Sequence, residues 1–228
     1  DEVDAFNRAK AANAPVPQPA VATITDAPEF SDDGLALAFS TRHDGHMLHV
    51  QTWGHWLRWD GARWAKDDTL RVFDAARELC RDAAAEKQAR DRKNKDSALE
   101  GITSASTVAA VVRLARSDAR HARSASEFDA DPWALNTPAG VINLRTGRMR
   151  AHSREDLFTK VTGVAPRRGV PRRWFRFLLQ ITRQDYRLIR FLQRFIGYTL
   201  AGSIREHAFV FLHGPGGNGK SVLLGVIA

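Results

Sequence analysis

Hydrophobic residues recur at steps of three and four in two segments of the first half of the chain, which is the spacing of an amphipathic helix. The pattern predicts one helix at about residues 70–92 and a second at residues 105–118. Asp67 or Asp68 is the candidate N-terminal cap of the first helix, and Ser104 or Ser106 is that of the second. Their predicted buried stripes are Leu70, Phe73, Ala76, Cys80 and Ala83 in the first helix and Val108, Val111, Val112 and Ala115 in the second.

Two more helices are predicted in the last third of the chain. Pro171 suits the first turn of one, because a proline lacks the N–H that a first turn leaves unpaired. The sequence TRQD at residues 182–185 matches a capping box and predicts that the next helix starts there and ends before Gly202. The predicted buried stripes are Trp174, Phe175, Leu178 and Ile181, then Leu188, Phe191, Leu192, Phe195, Ile196 and Thr199.

Shorter apolar runs bounded by turn residues predict strands. Residues 31–66 favour a short helix followed by strands, with Asp60 and Gly61 as a hairpin turn. Residues 140–150 favour a β-hairpin whose turn places Gly147 in a left-handed conformation. The run AFVFL at residues 208–212 is typical of a strand buried on both faces.

A glycine-rich motif follows this last run. Residues 214–221 fit the pattern G-x-x-x-x-G-K-[ST], in which glycines bring the backbone close to phosphate, the lysine reaches the β- and γ-phosphates and the hydroxyl ligates Mg²⁺. The predicted cofactors are therefore ATP and Mg²⁺, and the alternative is a glycine-rich turn with a solvated lysine. The predicted nucleotide-binding residues are Gly214, Pro215, Gly216, Gly217, Asn218, Gly219, Lys220 and Ser221, of which Ser221 is also the predicted magnesium ligand.

The motif stands close to the end of the sequence, with only residues 222–228 after it. Hydrolysis by a loop of this kind also uses an acidic residue on a second strand and a group that orients water. We therefore expect half of a nucleotide site, weak nucleotide binding at most and negligible turnover. The absence of an initial Met leads us to expect that residue 1 is a cut within a longer polypeptide.

Positive charge is concentrated in one block, since the whole chain has a net charge of +8 and residues 145–194 carry 14 basic and 3 acidic side chains. Such a block favours a polyanionic partner such as DNA. Four of its arginines lie on the polar face of the last long helix, where an acidic subunit or plain solvent are the alternative neighbours. The candidate DNA contacts are Arg172, Arg173, Arg176, Arg183, Arg187, Arg190 and Arg194.

Other residue types are assigned ordinary roles. Cys80 lacks a pairing partner and is predicted to be a core residue. His43, His46 and His49 have no acidic or Cys partners at ligand spacing, so we interpret them as surface residues rather than metal ligands. The tryptophans of residues 53–64 are predicted to form a small core, with base stacking as the alternative. No apolar run is long enough for a membrane span, and a cytoplasmic location with no membrane partner is expected.

These patterns predict an α+β fold, mainly helical with small β-hairpins, whose last part is the first strand, loop and helix of a truncated P-loop domain. They also predict an Ala/Pro-rich linker at 1–30 and a small β-rich Trp unit at 31–66.

Several segments in this order resemble the phage and plasmid primase–helicase family, which includes the poxvirus-type proteins and ends in a superfamily 3 helicase domain. They are WDGARW at 59–64, LNTPAGVINLRTG at 135–147, FLQRFIGY at 191–198, and Glu206 and His207 before the phosphate loop. The resemblance covers about residues 50–228. It implies a helical and β-hairpin helicase-associated domain at 67–170, a basic helical collar at 171–203 and, at 204–228, the start of a P-loop α/β (AAA+-like) ATPase domain, truncated.

The resemblance implies an ATP-driven DNA helicase that forms a ring, often with a primase domain upstream, in the cytoplasm of a bacterial host. Its partners would be single-stranded or forked DNA and further copies of itself. The motor's second acidic motif, sensor and arginine finger have no matching positions here. One alternative is a non-catalytic DNA-binding or oligomerisation module, in which the loop is a remnant of an interrupted helicase gene. The other is a different P-loop enzyme such as a small kinase.

Overall fold

The computed structural model of the chain describes residues 27–90, 101–202, 205–206, 209–214 and 216–227. Most of the predicted linker at residues 1–30 lies outside them. The described residues form two compact units, one within Asp1–Arg42 and Phe73–Asp118 and the other within His43–Val72 and Ala119–Ala228. Six α-helices and two three-stranded antiparallel sheets occur among the described residues, in agreement with the predicted mixture of helices and small hairpins.

The first unit is helical. It contains α1 (Asp32–Arg42), most of α2 (Arg71–Arg90) and α3 (Ala105–Ala115), with α1 packed against α3. The hydroxyl of Ser104 accepts a hydrogen bond of 3.1 Å from the Thr107 amide, which confirms the predicted cap of α3. The predicted stripe of α3 is buried as expected and consists of Val108, Val111, Val112 and Ala115.

Helix α2 is present as predicted, but its apolar face is placed differently. Leu70 precedes the helix with a positive φ of 57° and is 69% exposed, and Phe73 is 37% exposed, so their assignment to the buried stripe is wrong. Leu70 lies outside the helix, which begins at Arg71, so it does not share the helical spacing. The buried side chains are Val72, Ala76, Leu79, Cys80 and Ala84. Burial raises the pKa of the Cys80 thiol, and the carboxylate of Asp32 raises it further.

The second unit begins with an antiparallel sheet of β1 (Met47–Val50), β2 (His55–Trp59) and β3 (Trp64–Lys66), joined in that order. The turn between β2 and β3 spans residues 60–63, longer than the predicted Asp-Gly pair, and the Asp60 carboxylate accepts hydrogen bonds from the amides of Ala62 and Arg63. The core of this sheet consists of Leu48, Val50, Leu57, Trp64 and Phe128, with Trp59 packed against it. The predicted tryptophan core is thus confirmed for Trp56 and Trp64, which are 7% and 2% exposed, and is wrong for Trp53, which is 38% exposed.

His49 is buried rather than at the surface, so its prediction as a surface histidine is wrong. The residue is 2% exposed because β1 pairs with β2 and His49 also forms a β-bridge with Ala122. Its backbone amide donates to the His121 carbonyl at 2.8 Å, and its ring makes an edge contact with Trp56.

A second antiparallel sheet consists of β4 (Ala134–Thr137), β5 (Gly140–Asn143) and β6 (Met149–Arg150). It confirms the predicted hairpin, with Gly147 at a positive φ of 68°. Gly140, at a φ of 138°, is required where β5 meets β6, because a Cβ there would collide with the Arg150 carbonyl. The Asn136 side-chain amide donates to the carbonyls of Ala62 and Lys160, so β4 is tied to the turn after β2.

Three helices complete the second unit: α4 (Arg172–Ile181), α5 (Tyr186–Thr199) and α6 (Lys220–Ile227). The buried residues that they share are Leu178, Ile189, Leu192 and Leu223, with Trp174, Phe177, Ile181, Ile196, Leu212 and Ile227 packed around them. The glycine-rich loop therefore lies against α4, one of the helices that carry the arginines.

The start of α5 differs from the predicted capping box at 182–185. The Thr182 hydroxyl bonds to the Leu178 carbonyl at 2.8 Å and ends α4, whereas the Asp185 carboxylate accepts from the amides of Arg187 and Leu188 and begins α5. Arg183 and Gln184 connect the helices with positive φ values of 51° and 65°.

The buried face of α5 also differs from the predicted stripe. Ile189 and Leu192 are buried, whereas Leu188 and Phe191 are 42% and 45% exposed and Thr199 is exposed, so the predicted stripe is wrong at those three positions. On α4, Phe175 is likewise 44% exposed, and Phe177 packs against the core in its place.

The predicted buried strand at residues 208–212 is not formed in the part of it that the structure describes. Residues 209–214 have no strand structure, and Phe209 and Phe211 are 87% and 74% exposed. A strand of a parallel sheet needs a hydrogen-bonded neighbour, and none of the six described strands pairs with this segment. Ala208 lies outside the described residues.

Candidate nucleotide loop and basic helical surface

The glycine-rich loop adopts a conformation that depends on its glycines. Gly214, Gly217 and Gly219 have positive φ values of 151°, 72° and 80°. A Cβ on Gly214 would collide with the side-chain amide of Asn218, so this glycine allows the loop to close on itself. Pro215 lies outside the described residues.

Lys220 is the first residue of α6, and its ammonium group folds back over the loop. The Nζ atom donates to the Gly214 carbonyl at 2.9 Å and to Asn218 Oδ1 at 2.6 Å. The amides of Gly216, Gly217, Asn218 and Gly219 donate to no described residue. The Lys220 ammonium group and several backbone amides that have no described acceptor therefore lie in the same short loop, and together they are the donor set that an oxyanion requires.

Helix α4 packs against the loop at Gly219. A Cβ on Gly219 would lie 2.6 Å from Ile181 Cγ2 and 3.1 Å from the Phe177 ring, so the loop backbone rests directly on α4. Leu223, one turn into α6, is 4% exposed in the core that α4 and α5 share. These contacts hold the start of α6 at a fixed position relative to α4.

Ser221 follows Lys220 on the first turn of α6 and is exposed. The donor set fits a nucleoside triphosphate with Mg²⁺, because the loop amides and Lys220 suit phosphate oxygens and a hydroxyl oxygen suits Mg²⁺, a hard cation. When bound, the metal would neutralise part of the phosphate charge. Elsewhere within the described ranges, no group of three His, Cys, Asp or Glu side chains is placed to hold a metal ion.

The seven predicted DNA-contacting arginines form what we call the basic surface. Three lie on α4, three on α5, and Arg183 lies in the connection between them, not on the helix as predicted. All are exposed, and none makes an ion pair with a described residue. The only acidic residue between 172 and 194 is Asp185, and its carboxylate caps α5. The basic surface consists of Arg172, Arg173, Arg176, Arg183, Arg187, Arg190 and Arg194.

The sequence patterns gave no indication of a groove between α4 and the first turns of α5. This aromatic groove has a volume of about 360 Å³ and is lined by Phe175, Tyr186, Arg187, Ile189, Arg190 and Gln193. The sequence feature closest to such an indication is that three arginines surround Phe175, a residue predicted to lie in the buried stripe of α4. In the parts of the chain that the structure describes, no helix is long and apolar enough to cross a membrane.

Comparison with known families identifies most of this architecture. A family model described as "D5 N terminal like" matches residues 36–183, a segment that includes both sheets and α4 and stops before α5 and the phosphate loop. A comparison with curated proteins found no match. Because the match covers well over half of the chain, the protein belongs to the D5 N-terminal-like family, the N-terminal domain of D5-like primase–helicase proteins.

Proposed function

We propose that this chain is part of an ATP-dependent DNA primase–helicase of phage or plasmid replication. In this proposal residues 214–221 bind ATP with Mg²⁺, and the basic surface binds DNA. The family supports a role associated with primase–helicases. The observation that carries the rest is that α4 presents Phe177 and Ile181 to the phosphate loop and its arginines to solvent.

Each loop residue would contact a different part of the nucleotide or its metal ion. Lys220 would exchange its bonds to Gly214 and Asn218 for the β- and γ-phosphates, because a charged oxyanion is a stronger acceptor than a neutral carbonyl. The amides of Gly216, Gly217 and Gly219 would donate to the remaining phosphate oxygens. Ser221 would contribute one oxygen ligand to Mg²⁺.

Calorimetric titration with ATP and Mg²⁺ tests the nucleotide proposal. We expect Lys220→Ala to weaken binding at least tenfold, because it removes a charge-assisted hydrogen bond to phosphate. Lys66→Ala, which removes an exposed lysine of β3, is the matched control and should bind as the unaltered chain does. The proposal fails if the unaltered chain does not bind at millimolar ATP, or if Lys220→Ala binds equally well.

The salt dependence of binding to a single-stranded oligonucleotide tests the DNA proposal. Each lost phosphate contact should reduce the slope of log K against log salt by about 0.7, because fewer counterions are released. Arg187→Ala and Arg190→Ala should each have this effect. Arg81→Ala, an exposed arginine of α2 outside the basic surface, should leave the slope unchanged. Equal slopes in all four proteins would argue against the basic surface.

A second candidate function is a non-catalytic DNA-binding or oligomerisation module. Exposed hydrophobic residues favour it, because large apolar side chains in water often mark contacts between subunits. On α5 and α6 they are Leu188, Phe191, Val222, Leu224 and Val226. Light scattering of the isolated chain, together with the two binding titrations, distinguishes the module from the helicase. DNA binding and self-association without nucleotide binding would support the module. For the helicase we propose a homo-oligomeric ring, so self-association together with nucleotide binding would support the helicase instead.

A further inference from the structure

The aromatic groove exposes two rings that contribute little to the protein core. Phe175 on α4 is 44% exposed and Tyr186 at the start of α5 is 67% exposed. Neither belongs to the buried cluster of α4, α5 and α6, and neither ring is stacked on another aromatic ring among the described residues. Their faces are therefore available to a planar ligand.

Cationic and amide groups line the same groove. Arg187 and Arg190 carry guanidinium groups with no ion-pair partner in the described chain, and Gln193 adds an amide with both donors and an acceptor. The nearest acidic residue in sequence, Asp185, already accepts from two backbone amides at the start of α5. The groove thus combines apolar ring faces with unpaired positive charge.

This combination fits one class of ligand. Single-stranded nucleic acid offers unstacked bases, which stack on aromatic side chains, and phosphates, which pair with arginine. A duplex offers only the phosphates, because its base faces are covered by neighbouring bases. The groove volume of about 360 Å³ is at the lower end of the range of small-ligand pockets, about 300–1,000 Å³, and suits one or two bases rather than a folded domain.

We propose that the aromatic groove is a base-stacking site for single-stranded DNA, in which Phe175 and Tyr186 contact the bases while Arg187 and Arg190 contact the flanking phosphates. The proposal rests on the proposed DNA binding of the basic surface and gives that surface a preference for single strands. The preference is independent of sequence, since every base has a face that stacks.

The test compares two labelled oligonucleotides of equal length, a thymidine oligomer and an abasic oligomer that keeps the phosphates but lacks the bases. Fluorescence anisotropy at fixed salt should show about tenfold tighter binding of the thymidine oligomer, because stacking of one base contributes roughly that factor. The combined variant Phe175→Ala with Tyr186→Ala should lose this preference and keep the affinity for the abasic oligomer.

Two control variants separate stacking from effects on folding. Phe191→Ala removes a ring of α5 that is 45% exposed, nearly the same fraction as Phe175, but does not line the groove. Tyr186→Phe retains the ring and loses only the hydroxyl. Both should keep the tenfold preference, and circular dichroism should show the same helix content in every variant.

Other outcomes overturn the inference in distinguishable ways. Equal binding of both oligomers by the unaltered chain overturns the stacking site and leaves the proposed DNA function in place. Binding of neither oligomer overturns both proposals. If the combined variant keeps the preference but changes the mass of the assembly in light scattering, the groove is a contact between copies of this chain and the inference is wrong.

Discussion

The carboxylate of Asp67 holds the first turn of α2 with both of its oxygens. Oδ1 accepts from the Arg71 amide at 3.1 Å and Oδ2 accepts from the Val72 amide at 2.9 Å. The first amides of a helix have no partner within the helix, so these two bonds replace bonds to water that would otherwise be needed. Leu70, between the acid and the helix, takes a positive φ of 57° in this connection.

We predict that Asp67→Ala lowers the free energy of unfolding by about 1 kcal/mol, the usual effect of removing a helix cap. Asp68→Ala is the matched control, because this neighbouring acid makes no side-chain hydrogen bond to a described residue. Urea denaturation followed by circular dichroism measures both. Equal losses in the two variants would show that local charge, not capping, stabilises this turn.

Single-residue roles were predictable where one polar side chain precedes a clear apolar pattern, as with Ser104 and α3. Between α4 and α5 the sequence offers two capping groups, Thr182 and Asp185, three residues apart. The left-handed backbone of Arg183 and Gln184 decides between them. Non-glycine residues rarely adopt that conformation, so no local pattern indicates it.

At the scale of elements, packing against α4 and α6 determines which side chains of α5 face the core. Ile189 is 7% exposed and Leu188 is 42% exposed, although the two residues are adjacent and equally apolar. Periodicity therefore predicted the helix correctly and assigned part of its buried face wrongly.

We predict that Ile189→Ala destabilises the second unit by about 2–4 kcal/mol, because it leaves a cavity in the core shared by α4, α5 and α6. Leu188→Ala should cost less than about 1 kcal/mol, because its side chain is already partly in water. Thermal and urea unfolding of both variants measures the difference. A larger loss in Leu188→Ala would mean that α5 turns the other face inward.

Strands were less predictable than helices for a physical reason. Hairpins such as β5–β6 contain their own partner strand, and the turn at Gly147 indicates the pairing. The run at residues 208–212 has the composition of a buried strand, but composition alone supplies no neighbour for its backbone. The aromatic groove was not predicted for a similar reason: it is formed by residues of both α4 and α5, and the pattern within one helix does not show how two helices pack.

At the scale of the whole molecule, the chain forms two compact units, each of which consists of two separate segments of the sequence. It passes from the first unit to the second after Arg42, returns at Phe73 and leaves again after Asp118. The sequence suggested consecutive domains, since composition changes along a chain reveal linkers and not contacts between distant segments. The family match at residues 36–183 includes parts of both units.

The position of the phosphate loop within the second unit leads to a prediction for the intact chain. The loop contacts α4 through Gly219, Phe177 and Ile181 and shares a core with α5 through Leu223. A ligand that binds only the folded loop stabilises that state by about 2.7 kcal/mol at a hundred times its dissociation constant. Part of this stabilisation should appear as slower local unfolding of α4, which the loop contacts.

Hydrogen exchange followed by mass spectrometry should therefore show slower exchange at residues 214–227 and in α4 when ATP and Mg²⁺ are added. Helices α1 and α3 of the first unit, which the loop's described contacts do not include, serve as the internal reference and should exchange at an unchanged rate. Lys220→Ala should abolish the protection, whereas Lys66→Ala should keep it. Protection confined to the loop would show that nucleotide does not act on α4, and protection that survives Lys220→Ala would place the nucleotide at another site.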